Sequence, residues 1–344
     1  MAFKFIFSTI TAAILILPIA GNAQDYNKGW NAYETGDFET AFKQWIVLAE
    51  EGNAQSQFDI GQMYRMGQGV AADLAESFKW MRLAAERGHA QAQYNMGVSY
   101  WYGNGHPQSD TEAEKWYRLS ADQGYAQAQF NLGVLYEMGR GVPQDSVEAL
   151  RLFTLSAEQG DAFAQNALGK IYLGGQGVPQ DPEAALQWFR SSADQDLADA
   201  KFYLGVMHFE GIGIEANVEE AVLLIRQSAE QGFALGQQSL GNLYAEGWGV
   251  SQNDVEALEW KMRAAKLGHM GAQNDVGHFY QWGRGAPQDL ISAYQWYSIA
   301  AEFGNGASAF QLPFLEQNMQ PEGVSEAKRR ARLCMESHFA SCDG

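Results

Sequence analysis

The stretch "GRGVPQD" at residues 139–145 has the look of a glycine-rich phosphate cradle, but it does not stand alone. Edited versions occur at 67–73 ("GQGVAAD"), 103–109 ("GNGHPQS"), 175–181 ("GQGVPQD"), 211–217 ("GIGIEAN"), 247–253 ("GWGVSQN") and 283–289 ("GRGAPQD"), each beginning 36 residues after the one before. A phosphate loop follows a strand and carries a Lys-Ser/Thr pair or a third glycine, and neither accompanies the motif here. Seven copies in strict period belong to architecture before chemistry.

The flanks share the period. Upstream runs a glycine column, Gly61, Gly97, Gly133, Gly169, Gly205, Gly241 and Gly277, followed three positions later by Tyr64, Tyr100, Tyr136, Tyr172, His208, Tyr244 and Tyr280. With an apolar residue before each glycine, this spacing traces one stripe of a helix, helix A. A glycine inside a helix costs about 1 kcal/mol relative to alanine, so its recurrence predicts another backbone too close for a Cβ. The paired loop glycines fit a turn at positive φ that stops helix A. Asp145 then heads helix B with Glu148 completing a capping box, repeated as Asp73/Glu76 and Ser109/Glu112. Helix B carries Trp80, Trp116, Leu152, Trp188, Leu224, Trp260 and Trp296 in register, a regularity that marks core packing rather than sugar stacking. It ends at Gly88, Gly124, Gly160, Gly232, Gly268 and Gly304, with Asp196 in the remaining place.

The unit "AQFNLGVLYEMGRGVPQDSVEALRLFTLSAEQGDA" (128–162) resembles the Sel1-like repeat, a relative of the tetratricopeptide repeat, and the resemblance covers seven repeats over residues 53–304. It implies an all-α fold: a right-handed α-solenoid of stacked antiparallel helix pairs, about eighteen helices in all. It also implies a protein-binding scaffold, of the kind used in exported bacterial regulators, envelope assemblies and host-interaction factors, with no catalytic residue common to the family. Residues 24–52, around "WNAYETGDFETAFKQW" (30–45), resemble a tetratricopeptide unit acting as an N-terminal cap. Residues 305–344, with "MQPEGVSEAKRRARLCMESH" (319–338), resemble the closing helices and tail. Such caps are needed because internal repeats expose apolar flanks.

The chain of 344 residues has 23 basic and 41 acidic side chains, a net charge of −18, and no basic stripe outside the short "AKRRAR" at 327–332. Nucleic acid is therefore not expected as a partner, and a basic or mixed protein or peptide is. Residues 1–23, "MAFKFIFSTITAAILILPIAGNA", combine a lysine, an apolar run from Phe5 to Ile19 and a small-x-Ala ending. This is the layout of a bacterial secretory signal peptide cleaved after Ala23, the alternative being an uncleaved anchor. A periplasmic or secreted location is expected, with no membrane-spanning segment after cleavage. Cys334 and Cys342 can form a disulfide only if the last helix ends between them. With His338 they also spell C-x3-H-x3-C, which lacks a fourth ligand, so neither metal nor cofactor is expected.

Catalysis has little support in the chain. One cysteine-rich branch of the family has been associated with β-lactamase or penicillin binding, but the seven repeats here lack cysteine. "SEAK" at 325–328 fits S-x-x-K without the S-D-N and K-T-G that this chemistry needs. No H-E-x-x-H or G-x-S-x-G occurs, and a non-enzymatic protein is expected. By the resemblance, helix A lines a concave face, and columns whose chemistry varies between repeats are those freed from packing. The column of Phe58, Tyr94, Phe130, Asn166, Phe202, Gln238 and Asn274 is open to either reading, core or surface. The two columns ending helix A supply the nominated partner-binding residues: aromatic anchors Trp101, Tyr102, Phe209 and Trp282, and the acidic Glu137, Glu210 and Glu246 for a basic segment. The leading expectation is an exported scaffold or adaptor that holds a protein or peptide in its concave groove. A cell-envelope enzyme of β-lactamase or penicillin-binding type, or a polysaccharide-binding module, is the alternative.

Overall fold

Helix starts are set by short polar side chains that accept from their own first turn. Asp73 Oδ1 accepts from the backbone N–H of Ala75 and Glu76 (2.9 and 3.0 Å), and Asp145 Oδ1 from Val147 and Glu148 (3.0 Å each). The box glutamate has a different partner from the one expected: Glu76, Glu112 and Glu148 pair with Lys79, Lys115 and Arg151 at 2.5–2.7 Å. An i,i+3 charge pair along the helix competes here with the reach back to the cap.

The computed structural model describes residues 20–104 and 107–342, with side chains from Asp25 onward. Among the described residues there are eighteen helices and no strand. The chain divides into two units, Met1–Gln144 and Asp145–Gly344. The first holds α1 (Ala20–Glu34), α2 (Phe38–Glu50), α3 (Ala54–Met66), α4 (Leu74–Glu86), α5 (Ala90–Tyr102), α6 (Asp110–Ala121) and α7 (Ala126–Met138). The second opens with α8 (Ser146–Glu158), α9 (Ala162–Gly174), α10 (Pro182–Ala193), α11 (Ala198–Glu210), α12 (Val218–Glu230) and α13 (Ala234–Glu246). It closes with α14 (Asp254–Lys266), α15 (Met270–Trp282), α16 (Leu290–Glu302), α17 (Gly306–Asn318) and α18 (Pro321–Glu336). Within each unit successive helices pack on one another, hairpin upon hairpin, as a helical-repeat solenoid.

The loop that first suggested a phosphate site has two structural tasks. Gly139, at φ 65°, caps α7 in the left-handed conformation, its N–H donating to the Leu135 carbonyl. Gly141, at φ 72°, lies so close to the start of α6 that a Cβ there would sit 2.5 Å from the Asp110 carbonyl oxygen. One glycine stops a helix, and the other lets the loop rest on the hairpin before it.

The mid-helix glycine answers to a side chain as well as a backbone. A Cβ on Gly169 would lie 2.6 Å from the ring of Phe189, and one on Gly205 would meet Ile225 Cγ1 at 2.8 Å and the Ala221 carbonyl at 3.2 Å. The residues that fill this space, Met81, Tyr117, Phe153, Phe189, Ile225, Lys261 and Tyr297, form a helix B column of their own, each at 7% exposure or less. The tryptophan column beside it is buried or half-buried throughout, Trp296 at 2% and Trp260 at 8%, in keeping with a core role. A second internal bond also recurs. The amides of Gln57, Gln93, Gln129, Gln165, Gln237 and Gln273 donate to the carbonyls of Ala49, Ala85, Ala121, Ala157, Ala229 and Ala265 at 2.9–3.3 Å, tying each helix A to the hairpin that precedes it.

The ends close differently. The expected signal segment lies outside the described residues up to residue 19, and α1 runs through the position after Ala23. Trp45 Nε1 donates to the Tyr26 carbonyl (3.1 Å) with the two rings stacked, and the Tyr26 hydroxyl donates to Asp59 (2.8 Å). Burial pushes the Asp59 carboxyl up to about 6. At the other end α18 stops at Glu336, and Cys334 and Cys342 are joined by a disulfide with Cα atoms 4.5 Å apart. The thiols of the C-x3-H-x3-C pattern are thereby taken up. Gln295 Nε2, fully buried, donates to the Cys342 carbonyl at 2.9 Å and holds the tail on α16. No helix among the described residues is long and apolar enough to cross a membrane.

Two outcomes are expected. Gly169→Ala should lower stability to urea by about 1–3 kcal/mol, because the new methyl forces Phe189 from its seat. Gly174→Ala, at the end of α9 where a Cβ meets no atom closer than 3.6 Å, should be neutral or stabilise by up to about 1 kcal/mol, and equal costs at both sites would refute the close-approach account. For Asp59 the folded carboxyl titrates near 6 against an ordinary 3.8, so the folded state binds the proton more tightly. Stability is then greatest below pH 4 and falls as pH rises from 4 to 6, by on the order of 3 kcal/mol. Urea melts across pH 4–7 should show that slope in the native protein and lose it in Asp59→Asn.

Candidate functional site

The last turn of each helix A ends at a left-handed glycine, and the residue just before that glycine has no hairpin to cover it. Met66, Tyr102, Met138, Gly174, Glu210, Glu246 and Trp282 occupy this place, and all seven are exposed. The large ones are wide open: Tyr102 at 68%, Trp282 at 62%, Met138 at 59% and Met66 at 48%.

One residue earlier the surface is mixed. Arg65 and Glu137 are exposed, Trp101, Leu173 and Phe209 are half-buried, and Ala245 and Gln281 are buried. Trp101 lies under the Arg140 guanidinium, 4.0 Å from its ring centroid, and Arg140 is held from the far side by Asp110 through paired bonds of 2.8 and 2.9 Å. Phe209 packs against Trp248 with centroids 5.8 Å apart. Of the four nominated aromatics, Tyr102 and Trp282 therefore stand open, whereas Trp101 and Phe209 are partly covered by neighbouring side chains. Trp101, Tyr102 and Glu137 belong to the first unit, and Phe209, Glu210, Glu246 and Trp282 to the second. The column left open at the sequence level is buried at Phe58 (6%), Asn166 (5%) and Phe202 (8%) and half-buried elsewhere.

The structure adds aromatics that the columns did not nominate. Trp248, in the loop after α13, is 51% exposed and lines a small cleft with Phe209 and Glu210. Phe310 and Phe314 on α17 are 81% and 53% exposed and, with Trp282, Gln311 and Gln317, line a shallow cleft of about 430 Å³ beside α15. Phe310 stands one period after Asn274, in the column where Phe58 and Phe202 are buried, and so the signal was present in the sequence. Among the described residues no helix pair after α17 and α18 covers that column.

The remaining candidates have structural tasks. Ser325 Oγ donates to the Pro321 carbonyl (2.9 Å), and Lys328 pairs with Glu316 (3.0 Å) and lies over the Tyr294 ring. The serine and lysine of S-x-x-K are thus each engaged elsewhere. His89 and His269 cap α5 and α15, their Nδ1 atoms accepting from the N–H of Ala92 and Ala272 at 3.2 and 3.1 Å. Burial holds both imidazoles below their ordinary range, as suits acceptors.

These features define a helical-repeat scaffold in which the last residue of each helix A is exposed. Seven segments, residues 54–89, 90–125, 126–161, 162–197, 198–233, 234–269 and 271–305, match the Sel1 repeat, and the chain belongs to the Sel1 repeat family. Proteins of this family are generally scaffolds for protein–protein interaction. Among solved structures, a Sel1 repeat protein from Oxalobacter formigenes is 30% identical over 70% of this chain and 96% of its own, with a TM-score of 0.64. The protein c5321, described as a protective antigen present in uropathogenic Escherichia coli strains and displaying an SLR fold, is 26% identical over 93% of this chain and 86% of its own, with a TM-score of 0.46. No curated protein matches the chain significantly.

The covering of Trp101 is open to test. Asp110→Ala should free Arg140, move the Trp101 resonance of 5-fluorotryptophan-labelled protein toward its solvent-exposed position and cost about 1 kcal/mol. A Trp101 resonance that stays in place would show that Arg140 needs no anchor.

Proposed function

We propose that this chain is an exported, non-enzymatic adaptor that holds a basic or mixed-charge segment of a partner protein on the exposed ends of its A helices. One observation carries the reading: the position before the capping glycine is exposed in all seven repeats, yet its chemistry changes from repeat to repeat. The frame positions that vary, such as the column of Met81, Tyr117, Ile225 and Lys261, are buried, whereas this row varies while exposed. A surface that keeps its exposure and varies its side chain suits recognition. In the first unit the row is apolar, with Met66, Tyr102 and Met138. In the second it is acidic at Glu210 and Glu246 and aromatic at Trp282, which has Phe310 and Phe314 beside it. Open aromatics supply binding area, and carboxylates draw a cationic segment by long-range attraction in a chain of net charge −18. Export to the periplasm or the medium is supported by the leader-like residues 1–23 and by the buried disulfide, which suits an oxidising compartment.

Crosslinking capture from a native envelope fraction tests the reading. Tyr102→Ala with Trp282→Ala should remove the captured partners, and Glu210→Gln with Glu246→Gln should weaken capture mainly at low salt. Both pairs should leave stability within about 0.5 kcal/mol of the native protein, as expected for exposed positions. Unchanged capture by the aromatic pair would refute the assignment, and capture of glycan in place of protein would favour the polysaccharide-binding alternative.

A further inference from the structure

In all seven repeats helix A buries the position of Gln57 and the position of Gly61. One period after Gln273 and Gly277 these positions fall on Ala309 and Pro313 of α17, and both are exposed. The cause is a missing partner. A helix A is closed by the helix B that follows it, as α3 is by α4 and α15 by α16. Among the described residues no helix does this for α17, because α18 packs on α16 instead. What is left is a stripe at helical spacing: Gly306, Ala309, Phe310, Pro313, Phe314 and Gln317. Every member is exposed, Phe310 at 81% and Phe314 at 53%.

Three features select what covers it. Pro313 stands where the array uses a glycine. A Cβ on Gly169 or Gly277 would meet the facing ring at 2.6 or 2.8 Å, so the proline ring excludes an eighth helix B of the array's own kind. Next, no member of the stripe is charged, and Glu316 on the same helix is taken up by Lys328 (3.0 Å) and the Tyr294 hydroxyl (2.6 Å). The stripe therefore has nothing for a basic segment, and in a chain of net charge −18 it lets two copies meet without opposing like charges. Gln317 and the neighbouring Gln311 each carry a donor and an acceptor, which match their own kind across a two-fold axis. Last, the stripe is small at one end and large at the other, and a Cβ on Gly306 would meet nothing within 4 Å. In an antiparallel pair centred on Phe310, Gly306 of one copy faces Phe314 of the other, the same small-against-large match that sets helix spacing inside each hairpin.

We propose that the exposed stripe of α17 pairs two copies of this chain, antiparallel about a two-fold axis at Phe310. The helix has 13 residues, so the flank is about 20 Å long. One such face covers less than the ~800 Å² a side of a standard interface, so the dimer forms reversibly and with concentration. Trp282 borders the stripe, but the pairing does not rest on the adaptor reading, and each can fail alone.

Sedimentation equilibrium of the purified protein, its disulfide intact, should show a monomer and dimer in exchange. Salt should tighten the dimer by screening the net charge, the reverse of its effect on capture at Glu210 and Glu246. Phe310→Ser with Phe314→Ser should weaken dimerisation at least about tenfold and leave the melting temperature unchanged. Phe310→Cys, at the axis, should crosslink to a dimer on mild oxidation, whereas Leu74→Cys, 73% exposed on α4, should not. Glu210→Gln with Glu246→Gln, which tests the adaptor reading, should leave the dimer intact. A monomer at every concentration up to ~1 mM, or a native dimer in the double serine variant, would overturn the proposal. Growth past the dimer would overturn the two-fold axis in favour of a head-to-tail contact. Loss of captured partner in the double serine variant, with the native protein monomeric, would give the edge to the adaptor site. Should the double variant misfold, the two cysteine variants still decide.

Discussion

The distance between the two helices of a hairpin is set by one contact, a glycine in helix A facing a large side chain in helix B. At Gly97 and Gly169 the opposing rings of Tyr117 and Phe189 occupy the very space a Cβ would need. Helix A therefore lies close enough to helix B for aromatic faces to cover its backbone, and the loop that joins them can be short. The two loop glycines follow from the same constraint. A chain leaving helix A must turn at once, and it then passes against the backbone of the preceding hairpin, where Asp110 and Asp254 carbonyls leave no room for a side chain on Gly141 or Gly285. Repeats joined this way interact mainly with their neighbours, so the same small set of contacts is reused along each unit.

Much of this was legible in the amino-acid sequence because the frame depends on residue types with one job. A glycine every 36 residues inside an apolar stripe has few explanations, and an Asp or Asn before a helix has fewer. The unread parts are those where a residue type serves several purposes. The glutamine column looks like solvated surface in a helix, yet Gln57 and Gln273 are at 2% and 0% exposure, bonded to backbone carbonyls. The column of Met81, Tyr117, Ile225 and Lys261 mixes apolar, phenolic and charged residues, and its shared role, facing the glycine, appears only in space. At the nominated surface, exposure of Tyr102 and Trp282 followed from their place beside the capping glycine. The covering of Trp101 did not, because it depends on Arg140 in the next loop being aimed by Asp110, thirty residues before it.

Departures from the repeat come in matched sets, which separates substitution with compensation from substitution without it. Lys261 stands where other repeats bury an aromatic or aliphatic side chain, and the ammonium is met by Asp275 at 2.5 Å with Asn242 beside it. Lys170, Asn166 and Asp199 form a comparable set between α9 and α11, with Lys170 Nζ 2.5 Å from Asp199. Lys261, brought inward, arrives with its partner, as burial requires, whereas Lys170 remains part-exposed. His208 differs. Among the described residues its buried Nδ1 has no partner, while Arg190, in the register that Arg118 and Arg226 occupy before Tyr136 and Tyr244, is exposed.

The two termini show the same logic applied to edges. At the N-terminal end Tyr26, Tyr33 and Phe38 gather around Trp45, so the first full repeat meets a finished aromatic surface. At the C-terminal end α18 and the disulfide-bound tail are laid on α16, burying Ala331, Cys334 and Cys342. That closure serves helix B of the last hairpin and stops there. The column that elsewhere inserts into the next repeat continues into α17 with Phe310, which stays exposed together with Phe314 one turn on. A cap that shields the core thus leaves an aromatic edge exposed beside Trp282, and Phe310 in that edge holds the position that inside the array is buried at Phe58 and Phe202.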